Sequence, residues 1–443
     1  MEKFKQLGLS EGMLSIIQQA GFTEPSEIQL KTIPLVLANK DVIGSSATGS
    51  GKTLAFGAGI IEKLSKGKGI QALIMTPTRE LAEQVAQNLR HFSRHLGLVV
   101  QEVYGGVGMN PQIKMLRYAD IVVGTPGRLL DHIQRRTINL SRVRFLVLDE
   151  ADRMLDMGFI RDVESIIRVC PKERQTLLFS ATISREIDSI ANRHMKNPVY
   201  IEVDNQVDAA QLYQKYYDIE AGMKFSLLVQ LLRLEKKGVV MVFCNTRGNV
   251  DKLTRLLNQK RIHALAIHGG LSQNRRSETL QAFHSRETLI LVCTDVAARG
   301  LDIKDVSHVY NFDIPSTSNE YIHRIGRTAR AGKNGVAVSF VSEGDHSEFR
   351  QICKEKQLDI ERENVPQLDE IIAVPFSSNS DRKAARRGNS RGGGGGRNRG
   401  RSFGNGSRGN DRSSHGRGGG RGFNRSDSSR RPNRPSRGGF RRR

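Results

Sequence analysis

Short apolar segments alternate with longer amphipathic stretches through most of the chain, in two successive series. Each apolar segment has the length of one strand, and the stretches between them have the pattern of helices. Strands that are separated by helices pair in parallel, so the alternation predicts an α/β fold with two parallel sheets in tandem. The predicted strands are 72–75, 121–123, 145–148 and 176–179 in the first series, and 239–243, 264–267, 289–293, 308–311 and 337–341 in the second. The predicted helices include 80–91, 159–169, 250–259 and 275–284.

Two changes of composition divide the chain. Residues 205–212 are polar and follow neither pattern, so we expect a linker there. From residue 375 the chain is poor in apolar side chains and cannot bury enough surface to offset the cost of ordering, so we expect disorder. The expected parts are an N-terminal segment (1–30), a first α/β domain (31–204), the linker (205–212), a second α/β domain (213–374) and a basic Arg/Gly-rich C-terminal tail (375–443).

The positive charge is concentrated in this tail. The net charge of the whole chain is +23, and the residues from Phe376 onward contribute 20 Arg plus Lys against three Asp, a net +17. They also hold 17 of the 44 glycines, with aromatic rings at Phe403, Phe423 and Phe440. Arginine neutralises phosphate and stacks on bases, so we expect the tail to tether single-stranded nucleic acid or RNA without sequence preference, and its charge does not tell which polyanion it prefers. A purely solubilising tail is the alternative, and the tail could also hold protein partners.

Cysteine usage and hydropathy limit the class of protein. The four cysteines, at 170, 244, 293 and 353, are far apart and have no histidine set at metal spacing, so we expect reduced thiols and no structural metal. The apolar runs are far shorter than a bilayer requires, and the N-terminus lacks the apolar core of a signal peptide. The sequence predicts a cytoplasmic protein with no membrane partner.

Residues 47–53 read ATGSGKT and lie between an apolar segment, 41–44, and a predicted helix, 54–64. Small residues let backbone N–H groups surround a phosphate, and a following Lys and Thr reach the outer phosphates and Mg²⁺. The pattern has Gly six positions before the lysine, where this chain has Ser46, and a plain glycine turn is the alternative. The nucleotide-phosphate site is predicted to comprise Ala47, Thr48, Gly49, Ser50, Gly51, Lys52 and Thr53.

Residues 145–152 read FLVLDEAD, a buried strand that ends in carboxylates. In an open parallel sheet the carboxyl ends of the strands face the ligand crevice. Acidic strings are also common on surfaces, but this one follows the phosphate-binding segment by about a hundred residues. We therefore expect Asp149 and Thr53 to hold Mg²⁺, and Glu150 to act on a water molecule.

The second α/β series has no phosphate-binding loop of its own, but it contains HRIGRTAR at 323–330. Arg327 and Arg330 are three residues apart and can share a face, and guanidinium groups bind phosphate in a bidentate manner. Arginine fingers contribute about 10³ to 10⁵ in rate, so these arginines could complete the first domain's site. A solvated basic helix is the alternative.

In motif order, the chain from Phe4 to Val374 resembles the DEAD-box RNA helicases of superfamily 2. The order and spacing of the motif segments make a chance resemblance negligible. The segments that carry the resemblance are GFTEPSEIQ (21–29), ATGSGKT (47–53), PTREL (77–81), TPGR (125–128), DEAD (149–152), SAT (180–182), TDVAARGLD (294–302) and HRIGRTAR (323–330).

The resemblance implies two RecA-like domains and an N-terminal segment, 1–30, that recognises adenine. Ser26 and Glu27 stand where the family commonly has Thr and Pro, and Ala329 stands where it commonly has Gly. The residues implied in ATP binding, besides the phosphate loop, are Phe4, Phe22, Gln29 and Asp302. The implied catalytic residues are Lys52, Asp149, Glu150, Arg327 and Arg330.

The family grips the sugar–phosphate chain of RNA and reads few bases. Glycine and proline at such positions are often plain turn residues, which is the alternative for several of these contacts. Ser180 and Thr182 are implied in coupling domain closure to RNA. The implied RNA contacts are Pro77, Thr78, Arg79, Gly106, Thr125, Arg128, Gly270, Gln273, Arg276 and Thr294.

The function implied is that of an ATP- and Mg²⁺-dependent RNA helicase, which unwinds or remodels structured RNA and RNA–protein complexes locally. ATP and RNA would close the two domains and bend one strand, and hydrolysis would reopen them. An ATP-gated RNA clamp that hardly unwinds is one alternative, and a DNA translocase is another. A GTPase is disfavoured because the chain has no NKxD sequence.

Overall fold

The computed structural model describes residues 1–46, 49–203, 211–234, 238–298, 303, 306–329 and 333–376. The predictions for Ala47, Thr48, Asp302 and Arg330, for most of the linker and for the tail beyond Phe376 lie outside these residues. Within the described part of the chain, both predicted parallel sheets are confirmed.

The first sheet has seven parallel strands in the order β3-β4-β2-β5-β6-β1-β7. Alternate residues of each strand enter the cores on opposite faces, so Ile74 and Val147 pack on one side and Leu73 and Leu146 on the other. The strands are β1 (Val42–Ser45), β2 (Ala72–Met75), β3 (Val100–Val103), β4 (Ile121–Gly124), β5 (Phe145–Leu148), β6 (Gln175–Ser180) and β7 (Val199–Glu202).

Helices cover both faces of this sheet. Three N-terminal helices add Phe4, Met13, Ile17 and Ile33 to one of the two cores. The helices are α1 (Glu2–Lys5), α2 (Glu11–Gln19), α3 (Glu27–Leu37), α4 (Lys52–Ile61), α5 (Arg79–Ser93), α6 (Met109–Leu116), α7 (Pro126–Gln134), α8 (Ala151–Asp156), α9 (Ile160–Val169) and α10 (Arg185–His194).

The second sheet repeats this architecture in the order β10-β11-β9-β12-β13-β8-β14, again all parallel. Its strands are β8 (Leu212–Asp218), β9 (Val239–Phe243), β10 (Ala264–Ile267), β11 (Ile290–Cys293), β12 (Val306–Asn311), β13 (Gly335–Val341) and β14 (Glu361–Glu363). Its helices are α11 (Lys224–Leu234), α12 (Arg247–Gln259), α13 (Gln273–His284), α14 (Asp295–Ala298), α15 (Ser318–Ile325) and α16 (His346–Lys356), with short 3₁₀ turns at Ala221–Met223 and Glu343–Asp345.

The sequence patterns missed four strands, β3, β7, β8 and β14. β8 reads LYQKYYD and is only partly buried, so its polar side chains hide it from a search for apolar runs. β8 begins at Leu212, the last residue of the predicted linker. Among the described residues no helix is long and apolar enough to cross a bilayer.

Candidate active site

The phosphate loop joins the end of β1 to the start of α4, whose N-terminus carries partial positive charge. Gly49 and Gly51 have φ angles of 87° and 91°, which side chains with a Cβ rarely adopt. Lys52 is buried, and its Nζ donates a hydrogen bond to the Ser46 carbonyl oxygen at 3.1 Å. Ser46 therefore holds the lysine inside the loop, in the position where a phosphate could replace the carbonyl as its partner.

The predicted adenine segment contacts this loop directly. Gln29 Oε1 accepts a hydrogen bond from the Ser26 N–H at 3.0 Å, and Gln29 Nε2 donates to the Gly51 carbonyl oxygen at 3.1 Å. Ser26 Oγ donates to the Ser50 carbonyl oxygen at 2.9 Å. Because a Cβ on Gly51 would collide with the Gln29 amide, this packing requires glycine. The adenine segment therefore supports the phosphate loop, and it also lies where an adenine base could be recognised.

Of the two aromatic residues predicted to contact adenine, Phe4 lies in the core and Phe22 packs against it. Phe4 is fully buried among apolar side chains, and Phe22 packs at its margin with its ring centroid 6.4 Å from that of Phe92. Adenine stacking on Phe4 would require the ring to become exposed. The contacts of Phe4 and Phe22 with adenine stay predictions.

Asp149 and Glu150 follow β5 at the carboxyl edge of the sheet. Asp149 is buried, and burial, reinforced by the charge of Glu150 and opposed by Lys52, raises its pKa to about 6. Its Oδ1 has no hydrogen-bond partner among the described residues. A buried carboxylate oxygen without a donor fits a cation, so the residues present suit Mg²⁺.

Glu150 has a left-handed backbone conformation, with φ 54° and ψ 53°, at the N-cap of α8. Its Oε2 lies 2.8 Å from Arg153 Nη1, and both side chains are almost completely buried. The sequence prediction did not include Arg153. Its position three residues after Glu150 on a helix is the signal that could have identified it.

Asp152 links α8 to the loop after β6, where the predicted coupling residues lie. Its Oδ2 accepts hydrogen bonds from the N–H groups of Ala181 and Thr182, both at 3.1 Å, and from Thr182 Oγ1 at 3.3 Å. Ser180 Oγ accepts from the Asp152 N–H and donates to the Thr182 carbonyl oxygen. The structure therefore brings Ser180 and Thr182 into contact with the acidic motif, through a residue that the sequence prediction omitted.

The arginine segment of the second domain follows α15. Arg327 is buried, whereas Arg330 lies outside the described residues. Ala329, which replaces a glycine of the family pattern, has a φ angle of 53°, so the replacement places a Cβ in a left-handed position and costs about 1 kcal/mol. Arg324 makes paired contacts of 2.6 Å with Asp295, and it also binds Asn245.

Predicted RNA contacts from both domains surround one cavity of about 510 Å³. Arg128 is held in the wall of this cavity, because both terminal nitrogens of its guanidinium group donate to the Val107 carbonyl oxygen at 3.1 Å. Arg79 lies against Gly106, whose φ angle is 85° and where a Cβ would collide with the guanidinium group. The predicted contacts that line the cavity are Pro77, Thr78, Arg79, Thr125, Arg128 and Arg276.

Gly270, Gln273 and Thr294 lie outside the lining of this cavity, and Arg276, which lines it, has a further contact. Gln273 Nε2 donates to Glu80 and Glu83, and Arg276 Nη2 lies 2.8 Å from Glu80 Oε2, so both join the two domains. The Gly270 N–H donates to His268 Nδ1 at 3.1 Å. Thr294 is buried at the start of α14. The RNA roles of all ten predicted residues stay predictions.

Comparison with known families matches both domains. Residues 26–190 match the DEAD/DEAH box helicase family, and residues 223–332 match the helicase conserved C-terminal domain. The chain is 46% identical over 375 residues to the DEAD-box ATP-dependent RNA helicase CshA of Geobacillus kaustophilus, which covers 84% of this chain and 80% of that protein.

The chain is also similar in structure to S. cerevisiae Dbp5. With Dbp5 bound to RNA and ADP BeF3 the TM-score is 0.75 at 32% identity, over 83% of this chain and 97% of that one. With a Dbp5 variant bound to Nup159, Gle1, IP6 and ADP the TM-score is 0.58 at 30% identity, over 82% of this chain and 97% of that one. On its motifs, its fold and its relatives, the chain belongs to the DEAD-box family of ATP-dependent RNA helicases.

Proposed function

We propose that this chain couples ATP binding and hydrolysis to local opening or remodelling of structured RNA and RNA–protein complexes. As a DEAD-box ATP-dependent RNA helicase, it uses ATP and acts on RNA. The observation that carries the proposal is the common position of its polar groups at the carboxyl edge of the first sheet: Lys52 comes after β1, Asp149 follows β5 and Ser180 ends β6. This edge is where open parallel sheets bind their ligands.

The nucleotide is held by the phosphate loop and by the N-terminus of α4. Lys52 exchanges its bond with the Ser46 carbonyl oxygen for one with the outer phosphates, and Thr53 and Asp149 hold Mg²⁺. Mg²⁺, when bound, neutralises negative charge on the phosphate oxygens. Asp149 Oδ1 has no hydrogen-bond partner among the residues that the structure describes, and the pKa of Asp149 is raised. Both support this assignment, because a cation would compensate a buried carboxylate.

Glu150 orients the attacking water and accepts its proton. Arg153, whose Nη1 lies 2.8 Å from Glu150 Oε2, holds the buried carboxylate in one orientation. Arg327 and Arg330 of the second domain stabilise the charge that develops on the phosphate, and Asp302 contacts the nucleotide from the same domain. Hydrolysis is complete only when the two domains are closed.

RNA lies along the cavity that Thr78, Arg128 and Arg276 line. Its phosphates contact backbone N–H groups and arginines of both domains, which gives little dependence on base sequence. Ser180 and Thr182 couple the acidic motif to the RNA-binding surface, because both form hydrogen bonds with Asp152. The predicted domain boundaries, the protein partners of the tail and a cytoplasmic location are part of the proposal.

The test compares the parent protein with Lys52→Ala and Glu150→Gln. We expect Lys52→Ala to bind ATP weakly, because the phosphates lose their buried cation. Glu150→Gln should bind ATP and RNA normally but lose about 10²–10⁴-fold in RNA-stimulated ATPase, as expected for loss of a general base. Nucleotide binding, ATPase and strand displacement are measured on the same RNA. Full turnover by Glu150→Gln would remove its assignment as the base.

A clamp that holds RNA with little unwinding is the second candidate. The bonds from Gln273 and Arg276 to Glu80 favour it, because they join the two domains directly. A strand-displacement assay with a slowly hydrolysed ATP analogue separates the two functions. The helicase releases the displaced strand, whereas the clamp retains the duplex. Comparison of ATPase stimulation by RNA and by DNA excludes or supports a DNA translocase.

A further inference from the structure

A second cavity, of about 350 Å³, lies in the first domain away from the site described above. Three arginines line it: Arg117 after α6, Arg136 after α7, and Arg142 before β5. Between them the wall contains the apolar side chains of Leu116 and Ile138. We call Arg117, Arg136, Arg142 and the cavity between them the basic patch.

The charges of the basic patch are not neutralised. None of its three arginines forms an ion pair with a carboxylate in the described part of the chain, whereas surface basic residues elsewhere do, as in Arg193–Glu164. Asp120, near Arg117 in sequence, is fully buried and accepts hydrogen bonds from the N–H groups of Gly67 and Val99. Three like charges around one cavity create a local positive potential that favours an anionic ligand.

The basic patch lies at the amino edge of the first sheet. Ile70 in its wall precedes β2, whereas Pro77, at the predicted RNA surface, follows the same strand. The seven steps along the chain from Ile70 to Pro77 span at most about 23 Å at a strand's rise per residue. The patch is therefore separate from the RNA surface at the carboxyl edge, yet close enough for the same RNA molecule to reach both.

We propose that the basic patch is an auxiliary site for single-stranded RNA that extends beyond the cleft between the two domains. Arginines 117, 136 and 142 bind its phosphates, and a base packs against Leu116 and Ile138. Tyr118, which follows Arg117, is 69% exposed and offers a ring for a second base. This inference rests on the proposed function, because it assumes that the chain binds RNA.

The chemistry of the patch favours RNA over an acidic protein. A glutamate-rich partner would use the guanidinium charges but leave the apolar wall and the Tyr118 ring without a function. A nucleotide uses all three, because it combines a phosphate with a flat, apolar-faced base. Asn139 and Thr137 add polar groups at the same cavity, which suit the edges of a base.

The test uses the full chain and two RNAs, one that only fills the cleft and the same RNA with single-stranded extensions. Arg117→Gln/Arg142→Gln removes two charges from the patch. Arg255→Gln/Arg350→Gln removes two exposed charges from α12 and α16 as the matched control. We expect the patch variant to bind the extended RNA about tenfold more weakly, with a salt slope lower by about two, and the short RNA as the parent does.

Arg117→Gln alone is the second variant, because the Arg117 side chain makes no hydrogen bond within the described residues, whereas Arg142 donates to the Lys68 carbonyl oxygen. Arg117→Gln should weaken binding of the extended RNA and leave binding of the short RNA unchanged. Equal affinity of the patch and control variants for the extended RNA would overturn the proposal. Loss of polyglutamate binding by the patch variant, with RNA affinity unchanged, would also overturn it and assign the patch to an acidic protein. Failure of the proposed function is distinct: the parent would then show no ATPase stimulation by the short RNA.

Discussion

The ion pair between Glu150 and Arg153 joins a residue proposed for catalysis to one that no motif pattern identified. Both side chains are almost completely buried, and the two atoms are 2.8 Å apart. A charge in such a place is tolerated only with a partner, because its removal from water costs several kcal/mol. Glu150, the proposed base, therefore depends on Arg153 as its ion-pair partner in the interior of the first domain.

Arg153→Ala is expected to destabilise the protein, because it leaves Glu150 buried without its guanidinium partner. The free energy of unfolding should fall by about 3–5 kcal/mol. Arg168→Ala is the matched control: its side chain is 69% exposed and lies 3.6 Å from Glu164, so the change should be below about 1 kcal/mol. Urea unfolding of the two variants provides the measurement. Equal losses would mean that the Glu150–Arg153 pair contributes no more than a surface contact.

Helices α6 and α7 are joined by a buried histidine that also supports the RNA surface. His132 Nε2 lies 3.1 Å from Gln112 Oε1, and Nδ1 lies 2.8 Å from Thr137 Oγ1. Gln112 in turn binds the Tyr104 carbonyl oxygen and, at 3.4 Å, Arg128. The position of Arg128 thus depends on how these two helices pack.

The stability of this contact between α6 and α7 is expected to depend on pH. Burial, followed by the charge of Arg128, lowers the pKa of His132 below its ordinary value of 6.5. The unfolded chain therefore binds the proton first, so this contribution to stability is complete above pH 6.5 and is lost as the pH falls below it. His132→Asn should reduce the loss of stability between neutral and mildly acidic pH. Exposed His263→Asn is the control, and an identical pH profile for both variants would contradict this role.

At the scale of the whole molecule, the charge is divided unevenly between a nearly neutral body of two domains and a strongly basic tail. The last described residues are fixed to the second domain, where the rings of Phe376 and Phe312 lie 4.7 Å apart and the Ile372 N–H donates to Ser226 Oγ at 2.8 Å. The tail that follows carries a net +17. Its starting point is thus held by the domain that supplies the arginine segment.

Truncation after Phe376 is expected to weaken RNA capture without impairing catalysis. The RNA concentration for half-maximal ATPase should rise by about tenfold or more at moderate salt, because the tethering charge is lost, while turnover at saturating RNA stays nearly the same. A chain of full length with the tail arginines replaced by glutamine controls for length. If the truncated protein requires no more RNA than the parent, the tail does not act as a tether.

The sequence by itself determined the two α/β domains and the identity of the central residues. Buried parallel strands are continuous apolar runs, so β2, β5, β9 and β10 were predicted at their observed limits. The motif segments 77–81 and 149–152 come just after β2 and β5. Strands with polar faces, such as β8, carry no such signal. Only the tertiary structure decided which distant groups meet: Asp152 with Thr182, Arg276 with Glu80, and the three arginines of the basic patch. The physical reason is that a local pattern reports whether a residue is buried, whereas its partner is set by packing between elements far apart in the chain.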